Sequence, residues 1–418
     1  MKACIHRGAT QIGGSCVELE HEGQRLLIDL GLPLDAEDAS EIRVPVSLNL
    51  EVGQLGESSQ LTVVLSHPHM DHYGLMQHLP IGTQVCTGQA ARSIIRAATP
   101  FTGQPVVSLD GPNLIDRETL EIGSFKVTPF LVDHSAYDAY SLLIEAGGRR
   151  VFYSGDFRGH GRKAALFEKM LQQPPTPIHA LLMEGTSIGR PDSEDFLYPT
   201  EHMLEEQMTI AFKETTGLAM VHTSAQNIDR VVTMFRAARK TGRVLVIDLY
   251  TAAILEATGN ENLPQSSWDG VALYVPQRQR IQIKKGGWFD LLERHKSRRI
   301  YAETIAKNPE KYTLLFRPLH MKDLSDAGCL AGSGFIYSQW QGYWDSGSYD
   351  KVKEWLSLHG IPLHNIHTSG HADPTSLKRF VAALAPDRLV PIHSFHPEKF
   401  TWLYPEVESR ADGEWWYV

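Results

Sequence analysis

Short apolar runs separated by turns make up most of the first half of the chain. SCVELEHEGQRLLIDLGLP predicts a strand hairpin with its turn at Glu22-Gly23. YSLLIEAGGRRVFYSGD repeats this form around Gly147-Gly148, and GQAARSIIRAA between them has apolar residues at helical spacing. This half is therefore predicted to be rich in strands, with few helices.

The pattern changes at about Pro199, where amphipathic helices begin to alternate with short apolar strands. Two segments predict helices, EHMLEEQMTIAFKET and QNIDRVVTMFRAARKTG, and two predict strands, GLAMVHTS and RVLVIDLY. Such alternation favours a compact α/β unit with a parallel sheet. After Gly332 short strands and helices return, so one domain interrupted by another is the simplest organisation.

The composition is that of an ordinary globular protein, with 42% hydrophobic and 21% charged residues. The four cysteines lie far apart and form no C-x-x-C pair, which favours a reducing compartment over a disulfide framework. The N-terminus lacks an apolar signal core, and no apolar run approaches membrane-spanning length. We therefore expect a cytoplasmic protein that does not bind membranes.

The net charge of −9 argues against a surface that is basic all over, but a local positive cleft could still neutralise phosphates. Two stretches could supply such a cleft, GGRRVFYSGDFRGHGRK and QRQRIQIKKGGWFDLLERHKSRR. Taken alone, each stretch is more typical of a solvated face.

The segment LSHPHMDHYG places three histidines and an aspartate within a few residues of one another. A helix or a strand would turn these side chains to different faces, whereas a loop after the strand LTVVLS could aim all of them at one point. The residues form the pattern H-x-H-x-D-H, and imidazole and carboxylate ligands suit zinc, with iron or manganese as alternatives. The pattern therefore predicts a metal site at His67, His69, Asp71 and His72.

Further ligands should come from the ends of other strands. Three residues stand at the end of an apolar run, namely His134 in FLVDHSAY, Asp156 in VFYSGDFR and His393 in LVPIHSF. A lone histidine in such a place is more often a core or surface residue, so position alone only nominates these candidates.

Together, H-x-H-x-D-H, His134 and SGDFR resemble the metallo-β-lactamase superfamily. The resemblance implies an α/β protein with an αββα sandwich and two bound metal ions. It implies one ion held by His67, His69 and His134, and a second held by Asp71, His72 and His393, with Asp156 bridging both. Asp29 matches the aspartate that braces the ligand loop in that superfamily, although a simple turn aspartate is an equal alternative.

Later motifs narrow the resemblance to the β-CASP nucleases, and within them to ribonuclease J. LLMEGTS supplies Glu184, HTSGHADPTSLKRF supplies His371, and VPIHSF supplies His393. The resemblance implies a metallo-β-lactamase domain over 1–198 and 344–418, interrupted by a β-CASP-like α/β domain over 199–343. Ser394 departs from the family's usual Gly-Glu, and the chain ends soon after the last motif, which implies a relative without the C-terminal domain of ribonuclease J.

The implied reaction is hydrolysis of a phosphodiester by two zinc ions, although manganese or iron could replace zinc. The predicted catalytic residues are His371, Glu184 and Asp71, with His371 protonating the leaving 3′ oxygen and Glu184 orienting it. The implied substrate is single-stranded nucleic acid, RNA in preference to DNA. It would be degraded from 5′ to 3′ with products that carry a 5′-phosphate.

The resemblance also implies a pocket for the 5′-terminal phosphate. The matching residues are Ser224, Gln226, Asn227 and Ser369, whose hydroxyl and amide groups could donate hydrogen bonds to phosphate oxygens. Alternatively, TSAQN only caps the helix that starts near Ile228.

Two other functions remain open from the residues alone. A hydrolase of a small thioester, lactone or lactam would need the metal ligands but not the insertion, Glu184 or His371. A non-catalytic RNA-binding scaffold would not need all seven ligand positions, yet all seven are filled. The sequence leaves open RNA against DNA, exonuclease against endonuclease, the metal, the pathway and the oligomeric state, a homo-oligomer included.

Overall fold

The computed structural model describes residues 1–34, 43–50, 61–190 and 196–418. Packing divides the chain into two compact units. The first unit contains Met1–Arg96, Gln104–Tyr198 and Gly370–Val418, and the second contains Ala97–Gly103 and Pro199–Ser369.

The strands of the described residues form three sheets, two in the first unit and one in the second. In chain order they are β1 Lys2–Arg7, β2 Cys16–His21, β3 Gln24–Ile28, β4 Leu61–Val64, β5 Gln84–Gly88, β6 Asn113–Leu114, β7 Leu120–Ile122, β8 Phe125–Leu131, β9 Tyr140–Ala146, β10 Arg149–Tyr153, β11 Ala180–Glu184, β12 Ala219–His222, β13 Val244–Ile247, β14 Val271–Tyr274, β15 Arg299–Ile300, β16 Tyr312–Phe316, β17 Gly334–Tyr337, β18 Leu363–Asn365, β19 Leu389–Ile392 and β20 Trp415–Tyr417.

The α-helices of the same residues are α1 Met70–Tyr73, α2 Gln89–Thr102, α3 Ala164–Gln172, α4 Glu201–Glu214, α5 Ile228–Lys240, α6 Leu249–Ala257, α7 Gln277–Gly286, α8 Phe289–His295, α9 Ala302–Lys307, α10 Met321–Ala327, α11 Gln341–Asp345, α12 Asp350–Leu358 and α13 Pro374–Leu384. Short 3-10 turns lie at Val46–Leu48, Met76–His78, Lys296–Arg298, Pro309–Lys311, Pro318–His320 and Pro397–Trp402. In the part of the chain that the structure describes, no helix is both long enough and apolar enough to span a bilayer.

Two sheets face each other in the first unit, with the strand orders β20-β1-β2-β3-β4-β5-β6 and β19-β11-β10-β9-β8-β7. Strand side chains alternate between faces, and here both faces are apolar. In β3, Leu26 and Ile28 enter the core between the sheets, while Leu27 packs on the outer face. In β9, Leu142 and Ile144 enter the same core, whereas the intervening residue packs outward.

Helices cover both outer faces. Phe167 of α3 and Phe380 of α13 pack against the second sheet, and Tyr73 of α1 and Ile95 of α2 pack against the first. The layer order is therefore helix, sheet, sheet, helix, which confirms the predicted αββα sandwich.

The predicted hairpin turns are confirmed. β2 pairs antiparallel with β3, and β9 pairs with β10. The turn residues Glu22, Gly23, Gly147 and Gly148 all have positive φ, as a two-residue turn between twisted strands requires. The helix predicted from GQAARSIIRAA is present as α2.

The second unit is built on one sheet with the order β15-β14-β13-β16-β12-β17-β18, and its pairings are all parallel. The parallel sheet expected for this part of the chain is thus present, and the longer segment of the second unit begins at Pro199. It continues to Ser369, beyond the predicted end at 343, because β18 pairs with β17 and Trp355 of α12 enters the same core as Phe335. Its assignment as a β-CASP-like insertion stays a prediction.

Candidate metal centre and active site

The residues of the H-x-H-x-D-H motif follow β4, on the loop that leads into α1 and on α1 itself. Asp29, at the end of β3, holds this loop through both carboxylate oxygens. Its Oδ1 accepts a hydrogen bond from the Ser66 backbone N–H at 2.8 Å, and its Oδ2 lies 2.8 Å from His72 Nδ1. Tyr153 donates its hydroxyl to the same Oδ2 at 2.7 Å. Asp29 is completely buried, so it braces the ligand loop and is not a solvated turn residue.

His67, His69 and His134 form a first group whose candidate ligand atoms all lie within 4.8 Å of one another. His134 Nε2 is 3.2 Å from His69 Nδ1, so the two ring nitrogens face each other. His67 turns Nδ1 toward Ser66 Oγ at 3.0 Å, which leaves Nε2 on the side of the group. These are the three residues that the sequence predicts for one metal ion.

Asp71, His72, Asp156 and His393 form a second group within the same distance limit. His72 Nε2 lies 3.2 Å from Asp156 Oδ2, and His393 Nε2 lies 3.4 Å from Asp71 Oδ2. Asp156 Oδ2 also lies 3.7 Å from His67 Nε2 in the first group. The carboxylate of Asp156 therefore stands between both groups, as a bridging ligand would.

The donor atoms fit divalent metal ions. His67 Nε2, His72 Nε2, His393 Nε2 and Asp156 Oδ2 are buried and make no hydrogen bond with a described residue. A buried polar atom without a partner is unfavourable, and imidazole nitrogen with carboxylate oxygen is the ligand set that zinc prefers. The roles of the seven residues as metal ligands nevertheless stay a prediction.

Burial keeps the histidines of the first group neutral. It lowers the pKa of His67 and His134 well below the usual value, and that of His69 to about 4. Neutral imidazole is the form that binds a metal ion, so the first group is ready to bind at neutral pH.

His371 stands beside the second group and is oriented by Glu184. Its Nδ1 lies 2.9 Å from Glu184 Oε2 and 3.7 Å from Asp156 Oδ2. Glu184 is held in turn by the Phe157 backbone N–H, which donates to its other oxygen at 3.0 Å. Burial lowers the pKa of His371, but Glu184 and Asp156 more than offset this effect, so its pKa is raised.

A third possible ligand group overlaps the second, since Asp156, Glu184, His371 and His393 also bring ligand atoms within 4.8 Å. The geometry therefore allows His371 to act either as a proton donor or as a metal ligand. The metal content of a variant that lacks His371 distinguishes the two roles.

The sequence did not predict three side chains that position the candidate metal ligands. Thr186 Oγ1 lies 2.8 Å from His393 Nδ1 and directs the other ring nitrogen of His393 toward the metal groups. The hydroxyl of Ser66 contacts the ring of His67, and the hydroxyl of Tyr153 donates a hydrogen bond to Asp29. Ser66 and Thr186 lie next to the ligand motifs, in LSHPH and MEGTS, and that adjacency was the available signal.

Three of the predicted phosphate-binding residues follow β12 in the second unit. Asn227 Oδ1 accepts a hydrogen bond from the Arg230 backbone N–H at 3.1 Å, so Asn227 caps α5. Ser224 Oγ accepts from the Gln226 backbone N–H at 3.2 Å, and Gln226 donates its amide to Tyr250 at 2.9 Å. Ser369 is the last residue of the second unit. Their role in binding phosphate stays a prediction, and the capping role of Asn227 is present.

Two arginines of the first basic stretch are already paired with carboxylates. Arg158 is completely buried, with its Nε 3.3 Å from Asp133 Oδ1, and Arg150 Nε lies 3.1 Å from Glu145. The expectation that Arg158 could neutralise a phosphate is therefore wrong, because its charge already pairs with a buried carboxylate. In the other stretch, Lys284 and Lys285 on α7 are exposed and form no ion pair with a described residue.

Two family models match segments of the chain that contain candidate site residues. Residues 38–240 match the beta-lactamase superfamily domain, and residues 362–397 match the Zn-dependent metallo-hydrolase RNA specificity domain. The second match contains His371 and His393.

The chain thus contains a domain of the beta-lactamase superfamily. Within this superfamily, its sequence resembles ribonuclease J. Ribonuclease J of Synechocystis sp. is 23% identical over 421 residues, which cover 93% of this chain and 60% of the relative. Ribonuclease J of Sinorhizobium meliloti is 20% identical over 361 residues, which cover 79% of this chain and 57% of the relative. The chain thus matches less than two thirds of the length of these relatives.

The fold also occurs in a crystal structure of a protein of unknown function from Enterococcus faecalis. The two chains superpose with a TM-score of 0.80 at 23% identity, over 100% of this chain and 99% of the other. At this identity the likeness shows a common fold and carries no information on activity.

Proposed function

We propose that this protein is a zinc-dependent nuclease that hydrolyses single-stranded RNA from the 5′ end and leaves a 5′-phosphate on each product. The pair formed by His371 and Glu184 carries this proposal. A buried carboxylate 2.9 Å from a histidine, beside two groups of candidate metal ligands, is the arrangement that a proton donor to a leaving oxygen requires.

The seven ligand candidates would hold two ions, one at each group, with Asp156 shared. When bound there, divalent ions would lower the pKa of a water molecule and neutralise charge on a phosphate group. Zinc is the metal favoured by the ligand types and by the description of the matching C-terminal family model.

The side chains of the protein would orient the substrate and move the proton. Glu184 accepts from His371 Nδ1, which leaves Nε2 as the atom that carries a proton to the leaving 3′ oxygen. The raised pKa of His371 favours the protonated ring that such a donor needs. Asp29 and Thr186 fix His72 and His393, so that the ligand rings are in place before substrate arrives.

RNA is the proposed substrate because the relatives with matching sequence are ribonucleases J and the C-terminal match is described as an RNA specificity domain. Hydrolysis of a small thioester, lactone or lactam is the weaker alternative. That chemistry needs no proton donor with the position of His371 and no second α/β unit.

Digestion of end-labelled RNA with three different 5′ ends tests the direction of cleavage. A 5′-monophosphate RNA should be degraded faster than the same RNA with a 5′-hydroxyl or a 5′-triphosphate, with mononucleotides appearing first. Equal rates on all three ends, with internal cuts appearing first, would leave an endonuclease and remove the 5′-to-3′ assignment.

Two variants of Asn227 separate phosphate recognition from helix capping. Asn227→Ala removes both the cap and the amide donor, whereas Asn227→Asp keeps a good cap and replaces the donor with a carboxylate. Both variants should lose the preference for a 5′-monophosphate and keep their metal ions. If Asn227→Asp retains the preference, Asn227 only caps α5.

A further inference from the structure

A buried ion pair joins two loops that carry candidate metal ligands. Asp133 directly precedes His134 on the loop between β8 and β9, and Arg158 follows Asp156 by two residues on the loop after β10. Asp133 and Arg158 are both completely buried, and Arg158 Nε lies 3.3 Å from Asp133 Oδ1. The pair therefore connects a loop of the first ligand group to the loop of the bridging candidate Asp156.

The contact between these loops extends beyond the ion pair. The Arg158 backbone N–H donates to the carbonyl oxygen of Asp133 at 2.7 Å, and the Gly161 backbone N–H donates to Asp133 Oδ2 at 2.7 Å. A Cβ at Gly161 would collide with Asp133 Oδ1 and with Arg158 Nε, so glycine leaves the room that this contact requires. The carbonyl and both carboxylate oxygens of Asp133 thus hold the segment 158–161.

His134 lacks the hydrogen bond that orients several of the other candidate ligands. The rings of His67, His72 and His393 are each held at Nδ1 by a neighbouring side chain. In metal sites the second nitrogen of a ligand histidine normally makes such a bond, which fixes the ring. The Nδ1 of His134 is buried and makes no hydrogen bond with a described residue. The position of His134 therefore depends on its backbone, next to Asp133.

The ion pair is not explained by a gain in stability. Burial removes two charges from water, and this cost offsets much of the attraction between them. Apolar residues of similar volume often stabilise a fold equally well or better. The place of Asp133 and Arg158, each within two residues of a candidate ligand, points instead to control of the spacing between those ligands.

We propose that Asp133 and Arg158 are positioning residues of the metal centre, which hold His134 at the correct distance from Asp156. Ligands that are fixed before the ion arrives bind it more tightly, because less freedom is lost on binding. The pair thereby sets the affinity of the first ligand group for its ion. This inference rests on the proposed function, since it requires that the candidate ligands bind metal.

The test is titration of the zinc-loaded, full-length protein with a chromophoric chelator, which gives the affinity of each zinc site. The main variant combines Asp133→Leu with Arg158→Met, because it removes both charges and leaves neither buried alone. We expect the affinity for one of the two ions to fall about 10–100-fold, the usual effect of losing a residue that supports a ligand. The melting temperature in excess chelator should stay the same or rise.

Arg158→Lys tests the ion pair through a conservative change. Lysine keeps the positive charge but not the planar guanidinium group, so it should hold Asp133 less well than arginine and better than an apolar residue. Zinc affinity in Arg158→Lys should therefore lie between that of the wild-type protein and that of Arg158→Met. An affinity no higher than in Arg158→Met would contradict a role for the ion pair.

Two controls separate positioning from a general loss of stability. Ile144→Ala removes a completely buried side chain from the core between the sheets and should lower the melting temperature. Glu201→Leu with Arg230→Met removes a buried ion pair of the second unit, whose groups lie 3.0 Å apart. Zinc affinity should stay within about twofold of wild type in both controls, as expected for independent sites. An equal loss of zinc affinity in either control would overturn the proposal.

The titration also distinguishes this inference from the proposed function. Wild-type zinc affinity at both sites of the variant with Asp133→Leu and Arg158→Met would overturn the positioning role and leave the proposed nuclease intact. A wild-type protein that binds no zinc would overturn both.

Discussion

Asp29 shows how one residue outside the metal groups controls several residues within them. It binds the backbone and hydroxyl of Ser66, the ring of His72 and the hydroxyl of Tyr153, and it does so with a positive φ that few non-glycine residues adopt. His393 also has a positive φ, and Thr186 holds its ring. Uncommon backbone conformations that persist at a site indicate that the surrounding contacts determine them.

The first prediction at this scale concerns His67. His67→Ala should lose one of two zinc ions and nearly all cleavage of RNA. The reason is that His67 Nε2 is buried, makes no hydrogen bond with a described residue and is therefore free to bind a metal ion. Metal content by elemental analysis, together with cleavage of labelled RNA, measures both effects. His202→Ala is a matched control on the exposed face of α4 and should keep both ions. Two zinc ions in His67→Ala would remove this residue from the ligand set.

The second prediction concerns His371. His371→Ala should keep both ions but lower the cleavage rate by about 10²–10⁴-fold, the usual contribution of a positioned proton donor. Single-turnover cleavage and zinc analysis on the same sample measure the two quantities. Loss of an ion in this variant would instead favour the third ligand group, in which His371 binds metal beside Asp156 and His393.

At the scale of elements, α7 is the helix that we expect to contact the backbone of a nucleic acid. Its exposed residues Lys284 and Lys285 have no carboxylate partner among the described residues, whereas Lys296 and Arg298, farther along the same stretch, pair with Glu293 and Asp269. Charges that are already paired contribute little to phosphate binding, so we expect the basic stretch to act through its first helix.

The third prediction follows from this difference. Replacement of Lys284 and Lys285 with alanine should flatten the log–log salt dependence of RNA binding by about 0.7 for each phosphate that the variant no longer neutralises. Binding isotherms at several salt concentrations measure the slope. The control replaces Lys322 and Lys353, whose ammonium groups pair with Asp326 and Asp350, and its slope should not change. An unchanged slope in the α7 variant would make this helix a solvated face.

At the scale of the whole molecule, both compact units have apolar cores. Among the described residues, the candidate metal centre lies in the first unit. Ions that bind only the folded state stabilise it by mass action, by about 2.7 kcal/mol when free metal is at 100 times its dissociation constant.

The fourth prediction is that removal of metal destabilises the first unit selectively. A chelator should lower the temperature of one calorimetric transition by several degrees, and zinc should restore it. His67→Ala should show a low transition temperature that responds less to zinc. A chelator without effect on either transition would argue against metal binding at these residues.

The sequence by itself determined several strands and the hairpin turns, because alternating apolar residues and Gly-rich turns act locally. The αββα class was implied by the family resemblance. It also indicated His67, His69, Asp71 and His72, since these lie within one short segment and need no distant contact to be recognised. The expectation of a loop holds for His67 and His69, whereas Asp71 and His72 lie on α1. His134, Asp156 and His393 could be nominated by their place at the end of apolar runs, but their roles, and those of Glu184 and His371, came from resemblance. Nothing in their neighbours along the chain distinguishes a ligand from a core residue.

Tertiary structure decided what depends on distant partners. Only packing shows that Arg158 is neutralised by Asp133, that Thr186 orients His393, and that the second unit runs on to Ser369 through the pairing of β18. The cavity in the second unit that is lined by Thr223, Asp248 and Arg317 has no sequence motif either, since these residues follow separate strands. Burial and charge pairing depend on which segments meet in space, and local patterns of residues do not contain that information.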